Sequence, residues 1–454
     1  RFDPNTGMSK LTVGNVSRAS ADQRAGRAGR LGPGRAYRLW PQAEHRARRA
    51  QVEPEILQVD LAGIALELAA WGVDVDDVPF LDRPPRASID QGRELLSLLG
   101  AIDGEGRITQ RGRAMLGVPL HPRLAAMVIG AHDADVWTAC LVAALLEDRD
   151  VVRTNGPNRD SIPEDLGWRV ECVDDRIRDD RIDGRAASRV REQARDILRR
   201  TGRTATTGSA RASRVGALLL LAYPDRLAVR KTGAGQFQLR TGTGAWMPKT
   251  SDLADEQFLV AADVDGDRKN TRMRLAAAVS ADDITDLLAE RMTVDNAIVW
   301  DRERNDIVNR IECRLDGMKP REVRQKPTPC DATTTALIER VQSTSLQCLG
   351  WDPAAESLLE RVRFLHSRDS SWPDWSNKRL LATLDAWLAP YLAGCTSITD
   401  VEALNLAVIL RSGLPHDLGP HLDELAPGNV TLANGRQVRI TYRGDRSEEH
   451  TSEL

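Results

Sequence analysis

Apolar residues recur at steps of four and three along residues 54–72: Leu57, Leu61, Ile64, Leu68 and Trp71. That period puts them on one face of a helix, and Gly72 supplies the stop. The same reasoning predicts helices over "SIDQGRELLSLLG" (88–100), from the start of "QRGRAMLG" (110–117), and over the apolar "VWTACLVAALLED" (136–148). A further amphipathic helix falls on "AASRVREQARDILRR" (186–200), with Val190, Ala194 and Ile197 on one side. "AIDGEGRIT" (101–109) reads as two short strands around a glycine turn, and helices followed by a small hairpin predict a winged-helix unit. Residues 149–165, rich in Pro, Asn and Asp, read as a loop.

From Tyr223 the period shortens. "RLAVRK", "GQFQLR", "QFLVAADV" and "TRMRLAAAV" are short strands split by glycine-rich turns, which predicts a small barrel. After about residue 316 helices return, over "TTALIERVQSTSLQCLGW" (334–351) and "NKRLLATLDAWLAPYLAG" (377–394). "VTLANGRQVRITY" (430–442) is a hairpin around an Asn-Gly turn. The first residues read as strand, turn, strand, helix, strand: a turn at "DPNTG" (3–7), strands at "LTVGNV" (11–16) and "GRAYRLW" (34–40). The last eight residues, "SEEHTSEL", break the style of the chain and read as a non-native tail.

At 454 residues the chain exceeds one core, so roughly three to five domains are expected. The fold class is multidomain α+β. Net charge is -3, so any nucleic-acid surface is a local patch. The six cysteines form no CxxC pair, which argues against a zinc site or disulfide framework and fits a reducing cytoplasm. The longest apolar run, 215–223, is too short for a bilayer.

The chemistry concentrates in "QRAGRAGR" (23–30). Ser20 and Gln23 form an S-x-x-Q capping box, which predicts a helix start near Ser20. At about 100° per residue, Gln23, Arg27 and Arg30 fall on one face. Arg24 points away, toward the protein's own carboxylates. Ala25, Ala28 and Gly29 at the rear allow close approach to a sheet. Gly26 and Gly29 each cost a helix about 1 kcal/mol relative to alanine, so close backbone approach is the reason to have them. Two arginines and a glutamine on one face can bind a γ-phosphate: the arginines neutralise transition-state charge and the glutamine orients the attacking water.

"SRASADQRAGRAGRLGPGRAYRLW" (17–40) resembles motif VI of the DEAH-type superfamily 2 helicases, and the preceding "RFDPNTGMSKLTVGNVS" resembles the hairpin leading into it. "EPEILQVDLAGIALELAAWG" (53–72), "LDRPPRAS" (81–88), "HPRLAAMV" (121–128), "LLLLAYPDRLAVRK" (218–231) and "GTGAWM" (242–247) extend the likeness to the HrpB-type family, to about residue 446. The resemblance implies the tail end of a RecA-like domain (1–42), a winged helix (43–120), a ratchet-like helical bundle (121–214), an oligonucleotide-binding-like barrel (215–315) and a mixed C-terminal domain (316–446). It implies ATP as cofactor, with Gln23, Arg27 and Arg30 at its phosphates and single-stranded RNA or DNA as partner. The barrel arginines Arg226, Arg230, Arg240, Arg272 and Arg274, with Phe237 and Trp246, read equally as a basic groove with stacking platforms or as solvated strand faces around core aromatics.

The sequence also departs from the family. It contains no G-x-x-x-x-G-K-[ST] and no D-E-A-H, the elements that cradle phosphates and hold Mg²⁺. A first RecA-like domain elsewhere in a parent protein is expected to supply them, and this chain alone is expected not to hydrolyse ATP. The competing reading is a non-catalytic winged-helix and barrel module that binds nucleic acid or protein. An upstream reading frame with GK[ST] and DEAH separates the two. Other signals read as structure. "TGTG" (241–244) is a hairpin turn, "DVDGD" (263–267) a polar turn without the glycine a calcium loop needs, Asp74, Asp76 and Asp77 a solvated loop, and His121 a packing or hydrogen-bonding residue.

Overall fold

The computed structural model describes residues 2–3, 8–9, 14–153, 162–204, 209–267, 270–432, 435–443 and 446–449. It divides into two compact units, residues 1–292 with 315–320, and residues 293–314 with 321–454.

The first unit opens with a two-residue hairpin, β1 (Phe2–Asp3) and β2 (Met8–Ser9), then helices α1 (Arg18–Ala28) and α2 (Gln42–Ala47). Of the expected turn at 3–7 only Asp3, in β1, is described; the rest of it and the start of the strand at 11–16 lie outside the described residues, and Gly14–Val16 form no strand. The segment 34–40 is also no strand: no described segment pairs with it, and it ends in a bend at Leu39–Trp40. Helix α3 spans Ala62–Trp71, shorter than the 54–72 expected. Asp60, just before the N-cap Leu61, fits the late start: its carboxylate accepts from the first helical N–H, Ala62 N (2.8 Å). Gly72 ends it at φ 71°, a left-handed conformation that suits glycine. Asp74, Asp76 and Asp77 are not a free loop. Asp74 and Asp77 close a capping box, Asp74 pairs with Arg93 and Asp76 with Arg86.

Helices α4 (Arg86–Leu98) and α5 (Gln110–Leu116) flank the 101–109 hairpin, reduced here to a single bridge between Ile102 and Ile108. α6 (Pro122–Gly130), α7 (Val136–Glu147), α8 (Leu166–Val173), α9 (Gly184–Arg200) and α10 (Val215–Ala222) follow. α9 buries Val190, Ala194 and Ile197, as its period predicts. His121 caps α6, accepting from Arg123 N at Nδ1 (3.3 Å), while Nε2 meets Asp60 at 3.3 Å.

The barrel comprises β3 (Leu227–Arg230), β4 (Gln236–Leu239), β5 (Gly244–Trp246), β6 (Phe258–Asp267) and β7 (Asn270–Ala278). It closes in the order β3-β4-β5-β7-β6, with β5 parallel to β7 and the other pairs antiparallel. Phe237, Leu239, Leu259 and Met273 fill it. "TGTG" is indeed the turn between β4 and β5. "DVDGD" is not a turn: it lies within β6, beside a register shift at Asp263. Helix α10 lies against the barrel so closely that a Cβ on Gly216 would stand 1.8 Å from Ala278 O. α11 (Ala281–Leu287) completes this unit's regular helices.

The second unit carries most of a sheet of β8 (Thr293–Asp301), β9 (Asp306–Leu315) and β10 (Met318–Gln325), ordered β10-β9-β8. α12 (Asp331–Ser343) stops short of the expected 351, because Ser345 and Leu346 turn left-handed (φ 52° and 71°). α13 (Pro353–Arg368) follows. The single helix expected over 377–394 is three: α14 (Asn377–Ala382), α15 (Leu384–Trp387) and α16 (Ala389–Leu392). Pro390 lacks a donor, and Trp387 Nε1 donates to Leu380 O (3.0 Å) across the first break. After α17 (Ile398–Glu402), α18 (Leu406–Ser412) and α19 (Leu422–Leu425) comes the predicted hairpin, β11 (Asn429–Thr431) and β12 (Gln437–Arg443), with Asn434 outside the described residues. β13 (Arg446–Glu449) pairs with β12.

Candidate functional site

α1 forms where the arginine pattern predicts, but its cap differs. Ser17, not Ser20, is the N-cap, and its Oγ accepts from Ser20 N (3.1 Å). The first turn gains two further acceptors. Arg18 N and Ala19 N donate to Arg49 O (2.9 Å) and Ala50 O (3.0 Å), which meets donors that a helix start otherwise leaves open. The backbone of Arg49 and Ala50 therefore replaces the capping box. The earlier start moves the end as well: α1 stops at Ala28, with Gly29 as C-cap.

Gln23 and Arg27 keep the expected relation, four residues apart on one helix and both exposed. Arg30 lies beyond the helix. Its N–H still reaches Arg27 O (3.4 Å), so the chain continues one loose turn past the cap. Arg24 pairs with no described carboxylate, contrary to expectation; it too is exposed. No sheet backs the helix among the described residues, and a Cβ on Gly26 would meet nothing within 4 Å. The close approach occurs instead at Gly34, where a Cβ would stand 1.8 Å from Ala28 O. There the chain folds back over the end of α1.

The return segment explains which charges stay free. Asp22, the only acid on α1, meets Arg38 at 2.5 Å. Arg38 Nη1 also reaches His45 Nε2 (2.9 Å), and Arg48 lies over the Trp40 ring at 4.1 Å. Arg38 and Trp40 thus turn toward α1 and α2, while the alternate Tyr37 and Leu39 are 80% and 94% exposed. Alternation of that kind is a strand's, with one face uncovered. With Asp22 held by Arg38, the guanidinium groups of Arg27 and Arg30 have no carboxylate partner among the described residues. Their donors fit phosphate oxygens. The helix offers no second acid that would hold Mg²⁺.

The five barrel arginines do not form one basic groove. Arg226 donates to Ala262 O (2.8 Å) and lies over Tyr223, and burial pushes its pKa down. Arg230 pairs with Asp255 (3.2 Å). Arg240 holds Asp316 (2.5 Å) and Pro224 O (3.2 Å). Arg274 is taken by Asp265. Arg272 lies 5.4 Å from the Trp246 ring centroid and 4.0 Å from Glu164. Phe237 belongs to the core. Only Arg272 and Arg274 share a cleft, of about 610 Å³, and Asp148, Asp150, Glu164 and Asp263 line it too. The alternation of charged residues along β6 and β7 carries this pairing, and counting arginines alone misses it.

Exposed arginines on a capped helix, followed by helices and a closed small barrel, are in keeping with the helicase class that the sequence resemblance implies. Comparison with known proteins agrees. A family model described as ATP-dependent helicase C-terminal matches residues 387–452. The chain is 30% identical over 455 residues to the ATP-dependent RNA helicase HrpB of Escherichia coli K12, covering 98% of this chain and 53% of that protein. The crystal structure of the E. coli DExH-box NTPase HrpB superposes with a TM-score of 0.53 at 29% identity, over 98% of this chain and 53% of that one. A second structure, of E. coli DEAH/RHA helicase HrpB, gives 0.52 at 28%, over 99% and 55%. The chain is thus related to the HrpB-type ATP-dependent helicases along nearly all of its length, as the sequence resemblance implies. It spans about half the length of the relatives it matches.

Proposed function

We propose that this chain is the C-terminal portion of an ATP-dependent nucleic-acid helicase, which couples ATP hydrolysis to movement along, or unwinding of, RNA or DNA. One observation carries the reading: Gln23 and Arg27 stand exposed one turn apart, while the neighbouring acid Asp22 is held by Arg38. Arg27 and Arg30 would neutralise charge on a transferring phosphoryl group, and Gln23 would orient the attacking water. A RecA-like domain outside this chain would cradle the ATP phosphates and Mg²⁺. The uncovered Tyr37 and Leu39 support that, since these apolar side chains have no sheet to bury them among the described residues.

The unit with α3 to α5 and its bridged hairpin then serves as a winged helix, and α6 to α10 as a helical layer. The barrel's strand order, with β5 parallel to β7, supports an oligonucleotide-binding-like role. Arg272 above Trp246 is the place where a single-stranded base would stack. The chain alone would not hydrolyse ATP, and its work would lie in the cytoplasm.

The test is nucleic-acid-stimulated ATPase activity, measured on this chain and on a longer protein that adds the GK[ST]- and DEAH-bearing half. The chain alone should be silent and the longer protein active. Arg27→Ala should lower turnover by roughly 10³-fold or more, the scale of an arginine finger. An Arg27→Ala enzyme with unchanged turnover would favour the non-catalytic binding module.

A further inference from the structure

Away from α1, two arginines converge without a carboxylate. Arg111, on α5, runs over Gly100, where a Cβ would stand 3.7 Å from its Cδ. Its Nη2 donates to Ala126 O (3.2 Å) on α6. A Cβ on Gly130 would come within 2.8 Å of that same Nη2, so the glycine is what leaves the guanidinium its room. Arg111 Nε is shut off from solvent and has no acceptor. Arg291 arrives from the single 3-10 turn after α11, and its Nη2 donates to Leu98 O (2.5 Å) at the end of α4. Leu98 and Gly100 are two residues apart, so both side chains meet at one place, the C-terminal end of α4.

Neither arginine forms an ion pair with a described residue. Arg240 already holds the nearby Asp316. Burial lowers the pKa of Arg111, and the charge of Arg291 lowers it further; burial and Arg240 do the same to Arg291. The helix ends offset part of this charge. The C-terminus of α4 carries roughly half an elementary negative charge against the two full positive charges of the arginines, and the carboxylates of Glu290 and Asp316 also favour the charged form of Arg291.

We propose that Arg111 and Arg291 form a binding site for one phosphate group. Their remaining N–H donors, gathered beside the α4 terminus, suit tetrahedral oxyanions better than a planar carboxylate from a third element. The site stands apart from α1 and does not depend on the ATP reading. The phosphate belongs either to a free phosphate or monoester, or to the backbone of a nucleic-acid strand.

The experiment is a titration of the full chain with inorganic phosphate at constant ionic strength, by calorimetry and by following the Gly100 and Gly130 amides in NMR spectra. One phosphate should bind per chain, with both amides shifting. Arg291 is exposed, so Arg291→Gln should fold, and its affinity should fall roughly tenfold, the worth of one charge-assisted hydrogen bond. Arg291→Lys should recover part of it. A single-stranded oligonucleotide that displaces the phosphate identifies the backbone as source, and one that leaves it in place identifies a free phosphate or monoester. Unmoved glycine amides, or equal affinity in wild type and Arg291→Gln, would overturn the proposal.

Discussion

Arg123 grips Asp225 through two parallel N–H···O bonds, of 2.6 and 2.9 Å, across 102 residues of sequence. The same Nη1 donates to Ala222 O (3.0 Å), and the guanidinium lies 5.1 Å from the Tyr223 ring centroid. The pair pins the start of α6 to the turn between α10 and the barrel. Burial alone would raise the Asp225 pKa, but the Arg123 charge and its hydrogen bonds outweigh burial and hold it below 3.8.

Asp225→Asn should therefore destabilise the first unit by about 3–5 kcal/mol, because it leaves Arg123 buried without its counter-charge. Replacing both residues by apolar ones of similar size should cost less than either single change. The sign of the pH effect follows from the lowered pKa. Asp225 contributes stability in full above its unfolded value and loses it as pH falls below about 4 toward the native pKa. Urea unfolding at several pH values checks this: the acid-side slope should flatten in Asp225→Asn.

Two helix glycines should respond with opposite signs. Gly216 faces Ala278 O at 1.8 Å from an added Cβ, so Gly216→Ala must push α10 off the barrel. The overpacking penalty is about 1–3 kcal/mol. Gly63, in α3, has nothing within 4 Å, so Gly63→Ala should stabilise by up to about 1 kcal/mol through helix propensity. Thermal midpoints of the two variants should move apart; movement in the same direction would contradict the packing of α10.

The sequence shows periods better than boundaries. The faces of α9 and the barrel strands are legible because each buries one side, and burial writes a period into the chain. The start of α3 is not, because Asp60 caps a backbone N–H while it also meets His121, a partner 61 residues away. The breaks at Thr383 and Leu388 depend on an indole bond and one proline inside an otherwise regular pattern. At the candidate site, Gln23 and Arg27 are readable from spacing alone. The displacement of Arg30 is not, because it follows from Arg49 and Ala50 accepting the first helical donors. The charges of the barrel arginines are visible in sequence, whereas their partners Asp255, Asp265 and Asp316 are fixed only by strand register and turns.

The cysteines should separate cleanly by reactivity. Cys140 is fully buried, and burial pushes its thiol up to about 12. Cys330 is exposed at the N-cap of α12, where hydrogen bonding with the Thr333 side chain and backbone lowers its pKa. The thiolate is the reacting form, so Cys330 should be alkylated first at neutral pH and Cys140 only on unfolding. Mass spectrometry after brief iodoacetamide treatment, with and without urea, reads this directly. Early labelling of Cys140 in the absence of urea would mean that the core around α7 opens on its own.

Gly26 tests what α1 is for. It lies inside the helix, where glycine costs about 1 kcal/mol relative to alanine. No described residue outside α1 comes within 4 Å of its Cβ position, so packing here gives no reason for the cost. In this chain Gly26→Ala should protect the α1 amides in hydrogen exchange by up to about fivefold, the equivalent of that propensity. In the longer protein the same methyl group would stand between Gln23 and Arg27 on the helix and a bound nucleotide or facing domain. There the proposed function predicts slower ATP turnover despite the firmer helix. A variant that gains protection and keeps full turnover would show that nothing approaches α1 at Gly26, and the glycine would then have no role in catalysis.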